Sequence, residues 1–84
     1  MDSTTRNNLN NIIKQLEKSS TLSTKSLQWL QILDVCDDSI IAEECCKILE
    51  DDGWIRCRGV DQNTIPQYIV TTEKFLRNPH SRYY

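Results

Sequence analysis

Apolar residues follow two rhythms along this chain, a helical one as far as Leu49 and an alternating one after Gly53. Leu9, Ile12, Ile13 and Leu16 recur at i, i+3, i+4 and i+7, which lines them up as one stripe on a first helix. Ser3 or Thr4 is its expected cap, and Ser19-Ser20 its expected end. Thr21-Leu22-Ser23 reads as a short extended link. Ser23 or Thr24 then caps a second helix over residues 25–35, with Leu27, Leu30 and Leu33 on one side. Trp29 and Ile32 widen that arc, which predicts the most buried helix of the three. After a turn at Cys36-Asp37-Asp38, Asp38 caps a third helix over residues 38–52, with Ile41, Cys45, Ile48 and Leu49 inward and Ala42 beside them. Asp52-Gly53 stops it, because glycine accepts the left-handed conformation that closes a helix end.

From Trp54 the period shortens to two. Ile55 and Cys57 share one face of a strand, and Trp54, Arg56 and Arg58 the other. A polar loop from Gly59 to Pro66 leads to a second strand, Gln67-Tyr68-Ile69-Val70-Thr71, rich in β-forming residues. Together they read as an antiparallel hairpin. Thr72 caps a last helical turn, residues 73–78, that packs Phe75 and Leu76, and Pro79 stops it. The ordered core is expected over about residues 5–77, with a flexible tail over 79–84.

With 84 residues the chain has room for one domain. Its 38% hydrophobic and 26% charged residues suit a folded domain better than a disordered one. The opening segment is polar, and no window reaches the ~18 apolar residues that a membrane span needs, so no membrane partner and a cytoplasmic location are expected. Cys36, Cys45, Cys46 and Cys57 then read as free, mostly buried thiols. A thiol-rich sensor site built from these four is the sharper alternative.

Catalysis finds little support. His80 is the only histidine, Gly53 and Gly59 are the only glycines, and the cysteines lack a CxxC spacing. Neither an enzyme nor a bound cofactor or metal is expected.

Two strings carry a resemblance. Lys47-Ile48-Leu49-Glu50-Asp51-Asp52-Gly53-Trp54-Ile55 is similar to the end of the recognition helix and the start of the wing in winged-helix proteins. Tyr68-Ile69-Val70-Thr71-Thr72-Glu73-Lys74-Phe75-Leu76 resembles the strand-Thr-Glu-Lys-helix exit of small bacterial or phage winged-helix regulators. The resemblance implies an α+β fold, a three-helix winged-helix domain with a C-terminal β-hairpin wing. It also implies transcription regulation through DNA, and commonly a homodimer, for which the stripe of the first helix is one candidate interface. Packing within one chain explains that stripe equally well.

Charge divides the chain. Residues 34–52 hold eight acidic side chains against Lys47 alone, a net of −7, whereas residues 54–84 carry +3 and residues 1–33 carry +2. A phosphate backbone would be repelled by the acidic segment. The nucleic-acid reading therefore rests on Arg56, Arg58, Lys74 and Arg77, aided by stacking of Tyr83 and Tyr84, with DNA, or else RNA, as ligand. The competing reading has Glu43, Glu44, Lys47, Glu50 and Asp51 of the third helix meet a basic protein surface, as an assembly module. The same charge division would favour head-to-tail self-association.

Overall fold

The computed structural model describes residues 2–18, 26–60, 65–78 and 80–84. The Ser19-Ser20 stop, the Thr21-Leu22-Ser23 link, the Ser23 or Thr24 cap and Pro79 lie outside them.

Asp2 opens the first helix. Its carboxylate accepts the Thr5 N–H at 2.7 Å and its carbonyl accepts that of Arg6, so the cap sits one residue ahead of Ser3. Helix α1 spans Ser3–Lys18 and encloses Leu9, Ile12, Ile13 and Leu16 completely within the single chain. That packing accounts for the stripe without a second copy.

The next segment differs from expectation. Ser26–Gln28 forms a strand, β1, and the second helix, α2, begins only at Trp29 and ends at Cys36. Leu27 is therefore a strand residue, buried between exposed Ser26 and Gln28. Because the helix starts later, its inward line runs through Ile32 and Cys36, one turn apart, and Leu30 is left 71% exposed. With two buried residues against five on α1, α2 is not the most buried helix.

The third helix follows the sequence closely. Helix α3 spans Ser39–Asp51, capped by the Asp38 carboxylate, which accepts from the N–H groups of Ile40 at 2.7 Å and Ile41 at 3.3 Å. Ala42, Cys45, Cys46 and Leu49 are its buried residues, while Ile41 and Ile48 are half-buried. Gly53, at φ +81°, closes the helix as expected.

Strand β2 (Ile55–Arg58), strand β3 (Tyr68–Thr71) and the short helix α4 (Glu73–Arg77) complete the order. The sheet runs β1-β3-β2, antiparallel throughout. Leu27 and Cys57 flank Ile69 on the side facing the helices. Ser26, Gln28, Arg56, Arg58 and Tyr68 are exposed on the opposite side. Among the described residues this is a small α+β domain of four helices and three strands, and no helix is long and apolar enough to cross a membrane.

Two side chains sit on the sheet margins. Trp29 N–H donates to the Gln67 carbonyl at 2.9 Å, so by alternation the Gln28 N–H faces outward, where it donates to Gln31 Oε1 at 2.9 Å. On the other margin the Cys57 N–H donates to Glu50 Oε2 at 2.9 Å.

Trp54 lies just outside β2 and packs edge-on against Phe75 of α4, with ring centroids 6.5 Å apart. Thr72 caps α4, as expected, by accepting the Phe75 N–H, although Leu76 stays 40% exposed. The C-terminal tail, expected to fray, makes contacts with the body of the domain. Asn10 on α1 donates to the Tyr83 carbonyl at 2.8 Å and accepts its N–H at 2.7 Å. Arg82 grips both oxygens of Glu17, at 2.7 and 3.2 Å, and Tyr83 Oη donates to Asp52 at 2.6 Å. The ring of Tyr83 packs against the core, which supplies the apolar contact that a loose tail lacks.

Candidate protein-interaction groove

Helix α3 turns one side inward and leaves the other beside β2 and the segment that follows it. Between them runs a groove of about 570 Å³ lined by Glu43, Glu44, Lys47, Glu50 and Asp51. These are the five residues that the sequence singled out for a protein partner, and the fold brings all of them to one place. Its apolar part is made by Ile40, Cys46, Cys57, Val60 and Pro66. Ile40 is 72% and Val60 52% exposed, so this apolar surface is open to a partner.

Sequence periodicity assigned the carboxylates but missed the apolar half. Ile40 falls in the first turn of α3, off the inward stripe, and a large aliphatic residue at an outward position was the available signal. Val60 and Pro66 belong to the loop and come near α3 only through the turn after Gly53, which periodicity does not reach.

Four carboxylates of α3 line the groove against the single cation Lys47, giving its rim a negative field. Glu50 also has a structural duty, since its carboxylate holds the Cys57 N–H. Beneath the rim the thiols are neutral. Burial pushes Cys46 up to about 12 and Cys57 up to about 11, with the nearby Glu50 carboxylate reinforcing both.

Those shifts give an alkaline prediction. Both thiols bind protons more tightly folded than unfolded, so their contribution is full below the ordinary thiol value of 9.0 and is lost as pH rises toward 11 and 12. Urea midpoints should therefore fall between pH 9 and 11, and Cys46→Ala with Cys57→Ala should flatten the fall. An equally steep decline in the double variant would assign it elsewhere.

All four cysteines are free, as expected. The Cys36 and Cys45 thiols neighbour each other between α2 and α3, and Cys45 Sγ donates to the Thr5 carbonyl at 3.9 Å. Among the described residues no group of three or more His, Cys, Asp or Glu is placed to hold a metal ion.

Of the four cations proposed for nucleic acid, Arg56 and Lys74 line one groove together with Glu50 and Glu73. Lys74 donates to the Asp52 carbonyl at 2.6 Å and lies 4.3 Å over the Trp54 ring, covering that indole. Arg77 is paired with Glu73 one turn away. Arg56 and Arg58 project together from the outward side of β2, with no ion-pair partner among the described residues. Tyr83, offered as a stacking ring, is committed to Asp52 and the core, and Tyr84 is fully exposed. The ring that does accompany the arginines is Tyr68, directly across from Arg58. Strand parity joined with hairpin register would have found it.

No protein-family model matches the chain, and neither a curated protein nor a solved structure matches it.

Proposed function

We propose that this chain is a winged-helix domain, with β2 and β3 as its wing, that works as a protein-interaction module. Its α3 groove would take a basic, amphipathic segment of another protein. The observation carrying this reading is the meeting of exposed Ile40 and Val60 with the carboxylates of Glu44, Glu50 and Asp51 in one groove. Apolar side chains of the segment would cover Ile40 and Val60, supplying about 25 cal/mol per Å² removed from water. Lysines or arginines alongside would face the carboxylates, fixing register and speeding encounter more than adding affinity.

A duplex-reading transcription regulator fits the same helix less well. It would press carboxylates toward phosphates, and of its four proposed cations Lys74 and Arg77 already have partners inside the chain.

The test is a titration of the ¹⁵N-labelled protein with a synthetic amphipathic peptide of alternating leucine and lysine pairs. Amide shifts should cluster at Ile40, Glu44, Lys47 and Val60, and Ile40→Ser with Glu44→Lys should weaken binding about tenfold or more. An oligolysine lacking leucine should bind more weakly. Shifts confined to another face, or a double variant that binds as wild type does, would end this reading.

A further inference from the structure

We propose that the outward face of the three-stranded sheet binds a short stretch of single-stranded nucleic acid, with Tyr68 stacking on an unpaired base and Arg58 and Arg56 contacting the phosphates. This face is separate from the α3 groove and does not depend on what the groove binds.

The register assembles it. On central strand β3, Tyr68 lies directly between Arg58 of β2 and Gln28 of β1, and Val70 lies between Arg56 and Ser26. Directly opposed residues on antiparallel strands are about 4.5–5.5 Å apart, so a guanidinium and a carboxamide flank the phenol ring on either side. Tyr68 is 39% exposed, and Ser26, Gln28, Arg56 and Arg58 are all exposed as well. None of these six residues is acidic, although the chain carries a net charge of −2. Charge on this face is thus opposite in sign to the protein's total.

Each component answers to one part of a nucleotide. An exposed ring at the middle of a sheet offers its surface to another ring, and sequence-tolerant stacking of this kind contributes about 1–3 kcal/mol per base. Arg56 and Arg58, which make no ion pair among the described residues, are available for phosphate oxygens. Arg58 is the stronger contact, because Arg56 borders a groove where Glu50 and Glu73 outnumber Lys74. Gln28, whose side-chain oxygen takes part in the capping box of α2, keeps its amide N–H groups to donate to a base edge.

Single strands are favoured over duplex for a geometric reason. Bases within a duplex are covered on both faces by their neighbours, so the ring of Tyr68 can reach only a base that is already unstacked. Two arginines would also give shallow salt dependence, with a slope near −1.4 for a single strand at about 0.7 per phosphate.

The experiment is fluorescence anisotropy of fluorescein-labelled oligothymidylate, and of a duplex of equal length, at low and physiological salt. Oligothymidylate should bind at low salt and the duplex more weakly. Tyr68→Leu should weaken oligothymidylate binding about tenfold, the effect of losing one stacked base, while Tyr68→Phe should bind as wild type does. Arg58→Gln should reduce the salt slope by about 0.7. Circular dichroism of each variant verifies that the fold is retained, and Ile40→Ser with Glu44→Lys should leave this binding unchanged. Absence of binding at low salt, tighter binding of the duplex, or a folded Tyr68→Leu protein with wild-type affinity would each overturn the proposal.

Discussion

Ile69→Ala is expected to lower the urea midpoint of unfolding more than any surface substitution, at a cost of roughly 2–5 kcal/mol. Ile69 is fully buried on the central strand, where it joins Leu27 of β1 to Cys57 of β2 beneath the helices. Truncation leaves a cavity that three elements border and none can easily fill. The loss is large against the roughly 4–13 kcal/mol typical of a domain this size. Leu30→Ala is the informative control, since Leu30 is 71% exposed despite its place in an apolar run. Its cost should stay within about 0.5 kcal/mol. Equal costs at the two positions would mean that α2 faces the core with the side its exposure assigns to solvent.

Tyr83→Ala is expected to cost about 2–3 kcal/mol, through lost packing and a lost hydrogen bond. The neighbouring Tyr84→Ala should change stability by less than about 0.5 kcal/mol, because its ring touches little. Tyr83→Phe separates the two contributions. It keeps the ring against the core and removes only the bond to Asp52, for a loss of about 1 kcal/mol. Limited proteolysis supplies a second readout, with Tyr83→Ala speeding cleavage near the C-terminus. A neutral Tyr83→Ala would place the tail in solvent and return Asp52 to the acidic end of α3.

Where local signals agreed with one another, the chain could be read directly. Asp38 as cap, Gly53 as stop and the alternation after Trp54 each follow from a single residue type in a known backbone role, so α3 and β2 fall close to expectation. Leu27 shows where reading stops. Its spacing to Leu30 and Leu33 is helical, yet pairing with Ile69, distant in sequence, makes it a strand residue. No local pattern encodes that pairing. The contacts of the tail were illegible for the same reason, since a short polar segment gives no sign that Asn10, Glu17 and Asp52 lie beside it. For the groove, the charged rim was visible in one helix, whereas its apolar half needed residues from a loop.

The hydrogen bonds that Glu50 and Gln31 make to strand margins have a consequence for concentrated solutions. An open margin is a template on which another chain can add a strand, the first step toward fibres or precipitate. Here a carboxylate occupies a donor on β2 and a carboxamide occupies one on β1, so an incoming strand would have to displace a side chain at either margin. Glu50 adds a negative charge that a similarly acidic neighbour would meet as repulsion. A residue that borders the binding groove thereby also guards the domain against its own copies.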